Sequence, residues 1–474
     1  MKKCFLLTSL FIFSSSLSFA QNDKEKVMGS IDSKHAHYTA IAKQLWENPE
    51  LGYLEENSSA LLQEELRKEG FTIAKGVADI PTAFTATYGS GTPVIGILGE
   101  FDALPGMSQA AAPFHKARID GAPGQACGHH LFGTGSLAAA IATKDWLKDS
   151  GKSGTIRYYG TPAEEGGSGK VYMVRAGLFN DIDAIISWHP GDENTSNPGT
   201  NLATISGKFR FQGSSSHAAA APERGRSALD GVEGMNDLVN MLREHTTEST
   251  RIHYSITKGG DAPNIVPAEA EVYYVVRHSN RDEVQSVWNR VVKAAEGAAI
   301  GTETTMTYEI IGGTYDRLPN KALATLMHAN LTLVGGIDYT QKELDFAEEL
   351  QKTLGVVKPI SSANKIQPMV FTYGKASADT GDVSWNAPTA AIRAATWVPG
   401  TPPHSWQAVA AGGTSIGYKG MMVAAKTLAL TAIDIYNSPV LLNEVKAEFN
   451  ERRGPHFKYE ALLGNRKPAL DYRK

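Results

Sequence analysis

Residues 155–189 read TIRYYGTPAEEGGSGKVYMVRAGLFNDIDAIISWH and carry the main evidence for the fold class. Residues 155–160 and 184–188 are short apolar runs of the kind that form buried strands, and residues 389–397 (TAAIRAATW) are a third such run. Strands that alternate with helical segments favour a mainly parallel sheet with helices on both faces. The sequence therefore predicts an α/β fold.

Side chains that can bind a metal follow these predicted strands. Glu164 and Glu165 come shortly after the first strand. His189 directly follows the second strand, and His404 comes a few residues after the third. In an α/β sheet, sites form beyond the carboxyl ends of the parallel strands, so we expect these side chains to meet at one edge. Imidazole and carboxylate groups are ligands of divalent transition metals.

The segment Cys127-Gly128-His129 adds a thiol and another imidazole just before a long helix rich in Ala and Leu. Each candidate alone has a simpler interpretation: a buried inert cysteine, a hydrogen-bonded structural histidine, or carboxylates at a helix N-terminus. Their coincidence favours a metal centre, most simply one with two ions. The five candidate ligands are Cys127, His129, Glu165, His189 and His404.

The pattern changes near residue 204. A β-α-β-β-α-β order follows, which is typical of a ferredoxin-like unit. The predicted strands are 204–211, 251–257, 269–277 and 304–311, and the predicted helices are 227–243 and 282–299. We therefore expect residues 203–316 to form a small domain inserted into a larger metal-binding domain, which comprises residues 21–202 and 317–474.

Composition excludes several classes of protein. The chain has 474 residues, of which 42% are hydrophobic and 20% charged, as in ordinary globular enzymes. Its formal net charge of −4 contains no basic excess that would favour nucleic acid. After the first twenty residues, no apolar run is long enough to span a bilayer, so no membrane segment is predicted.

The first twenty residues have the form of a signal peptide. Lys2 and Lys3 precede an apolar run at residues 4–13, and Ser18-Phe19-Ala20 has the small-x-small form of a cleavage site. We therefore expect an exported protein, most simply in a bacterial periplasm. Removal of residues 1–20 takes away Cys4 and leaves Cys127 without a disulfide partner within the chain.

Several motifs together resemble one family. GEFDALPG, GQACGHH, TPAEEGGSGK, SWHP, GSSSHAAAAPERGRSAL, APNIVP, GDVSW and PGTPPHSW occur along nearly all of the mature chain. The set is similar to the di-metal amidohydrolases of the aminoacylase and carboxypeptidase superfamily. Within that superfamily it resembles the branch that holds hippurate hydrolases and plant indole-acetyl-amino acid hydrolases.

The resemblance implies a role for each motif residue. The five candidate ligands would hold two divalent ions, Zn²⁺ or Mn²⁺, with Cys127 between them. Glu164 would be the general base, and Asp102 would orient a ligand. In the inserted domain, His217 would assist catalysis in the partner's site and Asn264 would contact substrate. That domain would also act as a lid and mediate dimerisation, and a second homologous subunit is an alternative partner.

Two departures from the family pattern stand out. His130 follows His129 where relatives often have Asp, so the orientation of the neighbouring ligands is expected to differ. Glu100-Phe101-Asp102 stands where other branches carry His-x-Asp, which we interpret as the loss of one possible ligand.

The predicted function is metal-dependent hydrolysis of the amide bond in N-acyl or aminobenzoyl amino acids or in small dipeptides. One alternative is a periplasmic binding protein of the same fold that performs no chemistry, for which Glu164 would be superfluous. Another is a zinc-stabilised structural protein. Structural zinc sites are closed by four ligands, whereas this chain offers five and a spare carboxylate.

Overall fold

The computed structural model describes residues 22–473. The expected signal peptide lies outside the described residues, which form two main sheets. The strands are β1 (Thr72–Lys75), β2 (Phe84–Ser90), β3 (Val94–Gly99), β4 (Gly154–Gly160), β5 (Ala184–Gly191), β6 (Gly199–Thr200), β7 (Ala203–Gln212), β8 (Arg251–Lys258), β9 (Glu269–His278), β10 (Thr305–Thr314), β11 (Thr372–Tyr373) and β12 (Thr389–Ala395).

The helices surround both sheets, and residues 22–33 are helical as well. The others are α1 (His35–Glu47), α2 (Glu56–Lys68), α3 (His129–Ser150), α4 (Gly169–Arg175), α5 (Ala228–Arg243), α6 (Arg281–Gly301), α7 (Lys321–Val334), α8 (Gln341–Gln351), α9 (Thr380–Ser384), α10 (Trp406–Gly412), α11 (Ser415–Asn437) and α12 (Pro439–Arg453). Short 3₁₀ turns occur at Val77–Asp79, Pro222–Arg224 and Ile360–Asn364.

The large sheet has the strand order β1-β2-β4-β3-β5-β12. Strands β4, β3, β5 and β12 are parallel, whereas β2 runs antiparallel to β4 and β1 antiparallel to β2. The predicted α/β class with a mainly parallel sheet is confirmed. Because the four parallel strands end at the same edge, the segments that follow β3, β4, β5 and β12 meet there.

Two long helices cover the large sheet and pack against each other, α3 and α11. Nearly every residue of α3 from His129 to Leu147 is buried, in keeping with its small and apolar composition. The sequence predicts one helix over residues 406–436, but the chain breaks at Gly413-Thr414. A Cβ atom on Gly413 would lie 2.4 Å from the Trp46 ring, and Thr414 then caps α11 by accepting from the Ile416 N–H.

The second sheet is antiparallel, with the order β10-β7-β9-β8, and it packs against α5 and α6. Alternate residues of β9 are buried against the helices: Ala270, Val272, Tyr274 and Val276. The six predicted elements of this unit agree with the observed ones to within about three residues, because its strands alternate clearly between apolar and polar side chains. Thr204 of β7 pairs with Thr314 of β10, so the segment begins and ends at neighbouring points.

No helix among residues 22–473 is long and apolar enough to cross a membrane.

A buried carboxyl group links the large sheet's helix α9 to two distant segments. Asp382 is fully buried, and its two oxygens accept hydrogen bonds from the Tyr315 N–H (2.9 Å) and the Tyr459 hydroxyl (2.7 Å). Burial raises the pKa of Asp382 to about 7. Asp382 thus holds the chain where it returns from the second sheet, together with the C-terminal segment.

This raised pKa makes stability depend on pH. The folded state binds the Asp382 proton more tightly than the unfolded state, whose pKa is about 3.9. The stabilisation by protonation is therefore present below about pH 4 and is lost as the pH rises to about 7, on the order of 4 kcal/mol in all. Thermal melts measured between these pH values should show a smaller loss of stability with rising pH for Asp382→Asn than for wild type. The exposed Asp149→Asn is the control, and identical profiles for Asp382→Asn and wild type would contradict the expectation.

Candidate metal centre

The ligand-type side chains gather at the edge where the parallel strands end. Glu100 follows β3 directly, Glu164 and Glu165 follow β4, and His189 lies near the end of β5. The other ligand-type residues are brought there by neighbouring segments. Cys127 and His129 lie at the amino end of α3, and the His404 N–H donates to the Ala126 carbonyl at 3.1 Å, which ties the His404 loop to the cysteine.

Gly128 allows the chain to turn between Cys127 and His129. Its φ of 77° lies in the left-handed region, and a Cβ atom here would stand 2.7 Å from Pro190 Cβ. Only glycine meets both requirements without strain. The turn brings the Cys127 thiol and the His129 imidazole into one buried cluster.

Two groups of ligand atoms share Cys127. The first contains Cys127, His129 and His189, and the second contains Cys127, Glu165 and His404. Within each group the ligand atoms all lie within 4.8 Å of one another. Cys127 Sγ is 3.5 Å from His189 Nε2, and Glu165 Oε1 is 3.0 Å from His404 Nε2. The structure thus brings together all five side chains singled out in the sequence.

His129 and His189 each have one ring nitrogen engaged by a neighbouring oxygen, which leaves the other nitrogen available to a metal. His129 Nδ1 lies 2.9 Å from Asp102 Oδ1, and His189 Nδ1 lies 2.8 Å from the Pro190 carbonyl oxygen. The other Asp102 oxygen accepts from the Glu165 N–H at 2.9 Å. Carboxylate or carbonyl partners of this kind orient histidine ligands in metal sites. Asp102 therefore orients the His129 side chain and anchors the backbone of Glu165.

The residues fit a divalent metal. Three buried atoms of the cluster have no hydrogen-bond partner among the described residues: Glu100 Oε2, His129 Nε2 and Glu165 Oε1. Burial raises the pKa of the Cys127 thiol to about 12, so its thiolate would form at neutral pH only beside a cation. Thiolate, imidazole and carboxylate donors together suit Zn²⁺ and Mn²⁺ sites. The unpartnered atoms supply a place for such ions.

The two glutamates of the loop have different surroundings. Burial and the charges of Glu100 and Asp379 hold the pKa of Glu164 well above its usual range. Burial acts in the same direction on Glu165, but the His404 imidazole 3.0 Å away and the charge of His129 outweigh it and lower the pKa of Glu165. Glu164 also belongs to a third group of close ligand atoms, with Glu100 and His129. A carboxyl group that holds a proton readily therefore stands beside the candidate ligands.

The two departures from the family pattern have structural outcomes. His130 turns away from the cluster, with Nε2 3.0 Å from the Gly412 carbonyl oxygen, and burial lowers its pKa to about 3. It is thus a neutral structural histidine. Glu100, which we interpret from the sequence as the loss of one possible ligand, has its carboxylate in the third group of ligand atoms. The position directly after β3 is the signal that the sequence offers for this residue.

His217 and Asn264 lie together, but away from this cluster. His217 bridges to Ile265 in β-fashion, and the Ala218 N–H donates to the Asn264 carbonyl at 3.0 Å. Both residues are exposed, and among residues 22–473 no hydrogen bond or ion pair joins them to the candidate ligands. His217 Nδ1 accepts from the N–H groups of Ala219 and Ala220, both at 3.2 Å. The proton of a neutral His217 therefore sits on Nε2, which is left as a donor.

Sequence reasoning missed several residues that support the loop of Glu164 and Glu165. Glu55 is buried and accepts from the Ala163 N–H at 2.8 Å. From the far end of the chain, the Tyr472 hydroxyl and the Arg473 guanidinium donate to the Glu165 carbonyl, at 3.1 and 2.7 Å. A carboxylate at the start of α2 and a polar C-terminal segment carry no local signal of such contacts.

Comparison with known proteins identifies the family. Residues 202–303 match a model described as a peptidase dimerisation domain of M20 proteins. The chain is 41% identical over 454 residues to one of the subunits of p-aminobenzoyl-glutamate hydrolase from Escherichia coli (strain K12), and the match covers 89% of this chain and 94% of that protein. The chain belongs to the M20 peptidase family. The resemblance drawn from the motifs is thereby confirmed, as is the prediction of a hydrolase.

Two other known proteins match this chain over most of their length. The Xaa-Arg dipeptidase of Mus musculus is 27% identical, with 90% of this chain and 92% of that protein covered. A crystal structure of a dinuclear metal-binding M20 peptidase from Bacillus subtilis has a TM-score of 0.57 at 18% identity and covers 86% of this chain and 99% of its own. The latter similarity supports the M20 fold.

Proposed function

We propose that this M20 hydrolase cleaves the amide bond of N-acyl or aminobenzoyl amino acids, p-aminobenzoyl-glutamate among them, or of small dipeptides. The observation that carries the proposal is the pair of ligand groups that share Cys127, with Glu164 beside them. Two adjacent cation sites and an uncommitted carboxyl group suit hydrolysis. A binding protein without chemistry would have no use for Glu164, and a structural zinc site would be closed by four ligands.

In this proposal each inner residue has one task. Two divalent ions, Zn²⁺ or Mn²⁺, supply Lewis acidity and lower the pKa of water when bound. Cys127, His129, Glu165, His189 and His404 hold them. Glu164 takes the proton of the attacking water and returns it to the amide nitrogen as the bond breaks. Asp102 keeps His129 in the tautomer that leaves Nε2 available, through its contact at Nδ1.

Two arginines near the cluster suit a substrate with a carboxylate. Among residues 22–473, the guanidinium groups of Arg317 and Arg393 have neither an ion pair nor a hydrogen bond to another side chain. Burial and the neighbouring charge of Arg393 lower the pKa of Arg317. A bound anion would offset the repulsion between the two guanidinium groups. The amino-acid part of the substrate, such as the glutamate of p-aminobenzoyl-glutamate, carries an α-carboxylate at a fixed distance from the amide bond, and arginine pairs readily with carboxylates.

We also propose a dimer formed through residues 203–316. Strand β8 is a free edge of its sheet, whereas the other edge strand, β10, is contacted by Arg466 through Glu309 (3.1 Å). Four exposed apolar side chains lie on β8 and on α5, and they are between 38% and 66% exposed: Leu238, Met241, Tyr254 and Ile256. A two-fold pairing of β8 edges would cover both the strand and these side chains. The dimer could join two identical chains or this chain and a homologous subunit.

In such a dimer, His217 would reach the partner's metal centre. Within the described part of one chain, the segments of His217 and Asn264 pair with each other, and no hydrogen bond or ion pair joins either residue to the cluster. The free Nε2–H of His217 is the kind of donor that stabilises an oxyanion on the scissile carbonyl. Asn264 would contact substrate at the same place. We further propose export to the periplasm, on the ground of residues 1–20 alone.

Removal of metal tests the function. The purified mature chain should hydrolyse p-aminobenzoyl-glutamate, other N-acyl amino acids or dipeptides that end in Arg. A chelator should abolish this activity, and Mn²⁺ or Zn²⁺ should restore it, because the substrate carbonyl and the attacking water lose their activating cations. The same substrates with an amidated carboxyl group are the control for the arginines and should react poorly. Full activity in a preparation shown by elemental analysis to be metal-free would overturn the proposal.

A further inference from the structure

Glu100 faces the same space as the candidate ligands. Its side chain is 3% exposed, and Oε2 lies 3.0 Å from His129 Nε2. Despite this distance, neither atom has an aligned hydrogen-bond partner among the described residues. The two atoms are therefore close enough for an ion pair but are not aligned as a hydrogen bond.

This spacing is compatible with two donors on one ion. Donors about 2.1 Å from a Zn²⁺ ion stand about 3.0 Å apart at a right angle and about 3.4 Å apart at the tetrahedral angle. His129 Nδ1 is engaged by Asp102, so Nε2 is the atom that His129 offers to a metal. We propose that Glu100 is a sixth protein ligand, which binds the same ion as His129 through Oε2. The inference deepens the proposed function and rests on its metal centre.

Lys170 holds the other oxygen of Glu100. Its ammonium group is fully buried, 2.6 Å from Glu100 Oε1 and 2.8 Å from Asp379 Oδ1. The Lys170 N–H also donates to Asp379 Oδ2 at 2.9 Å. The lysine thus fixes one Glu100 oxygen and leaves Oε2 turned towards His129. Lys170 acts here as a positioning residue.

The net charge of Glu100, Asp379 and Lys170 also suits a neighbouring cation. Glu100, Asp379 and Lys170 together carry a net charge of −1, and all three side chains are at most 3% exposed. Asp379 alone suffices to pair Lys170, since it contacts both its ammonium group and its backbone N–H. A surplus buried carboxylate is strongly unfavourable unless a positive charge compensates it. A divalent ion beside Oε2 would do so.

Glu100→Gln tests the assignment by metal binding. The full mature chain is stripped, reloaded with Zn²⁺ or Co²⁺, and titrated against a competing chelator. Loss of the charged ligand should lower the affinity for one of the two ions by at least about 10-fold. In the Co²⁺ protein, the d–d absorption bands should shift with the altered ligand set, whereas the sulfur-to-cobalt charge-transfer band of Cys127 should persist.

Asp379→Asn is the matched control. It removes the same charge from the same lysine, and no ion pair or hydrogen bond among residues 22–473 joins Asp379 to His129, so the Co²⁺ spectrum should stay that of wild type. If Glu100→Gln does not fold, Glu100→Asp serves instead. It keeps the charge but has a shorter side chain that places the oxygen farther from the ion, so its metal affinity should be intermediate. Equal affinities and spectra for wild type and either Glu100 variant would overturn the assignment. So would an equal loss in Asp379→Asn. Failure of wild type itself to bind two ions would instead refute the proposed function.

Discussion

Replacing Glu164 by Gln is expected to lower kcat by about 10²–10⁴ while the metal content stays near that of wild type. The amide keeps the shape of the side chain but cannot take a proton from water or return it to the leaving nitrogen. Neither of the two groups that share Cys127, in which we place the ions, contains Glu164, so the ions should remain. Steady-state kinetics with p-aminobenzoyl-glutamate, combined with elemental analysis, measure both quantities.

Glu165→Gln is the matched comparison, since it makes the same change at the neighbouring residue. It should lose at least one ion, because Glu165 Oε1 is the buried, unpartnered atom beside His404 Nε2. If Glu164→Gln loses metal while Glu165→Gln keeps it, the two assigned roles are reversed. If Glu164→Gln keeps both metal and full rate, the general base lies elsewhere.

The second large effect is expected at His217. His217→Ala should lower kcat by about 10²–10³, the usual loss when one oxyanion donor is removed. Its Nδ1 accepts two backbone hydrogen bonds, which fixes the free Nε2–H that this role requires. Metal content should be unchanged, because no hydrogen bond or ion pair among the described residues joins His217 to the ligand groups.

Mixed dimers test whether His217 acts in its own subunit. Subunit exchange between His217→Ala and Glu164→Gln gives heterodimers in which one site has both groups intact if His217 acts on the partner. A one-to-one mixture should then recover about a quarter of wild-type activity, since half of the dimers are mixed and each has one complete site. Each variant incubated alone is the control. Heterodimers that are demonstrably formed yet inactive would place His217 in its own subunit's site or outside catalysis.

The sequence predicts those parts of the molecule that local patterns determine. The second sheet shows clear alternation in β9 and apolar helices between its strands, so its elements can be assigned closely. The ligand-type residues can be grouped because a parallel sheet brings the ends of its strands to one edge. The capping box of α8, formed by Thr340 and Glu343, is likewise visible in the sequence and is present in the structure.

Long-range contacts cannot be predicted in this way. β2 and β3 are neighbours in sequence, but β4 lies between them in the sheet. The contact of Lys170 with Asp379 joins residues 209 positions apart, and the helical pattern around Lys170 gives no sign of it. Glu100 departs from a motif and so looks like a lost ligand, although it lies buried with Oε2 3.0 Å from His129 Nε2. Nothing in a single chain's sequence separates a motif residue that is lost from one that is replaced.

The pairing of Thr204 with Thr314 has a bearing on how such a chain could evolve. Residues that are opposite in an antiparallel pair have Cα atoms about 5 Å apart. The whole segment between them could therefore be gained or deleted as a single piece of gene, closed by a turn of a few residues, without rerouting the rest of the chain. The catalytic α/β framework and the segment that carries His217 could accordingly have had separate histories before they were joined.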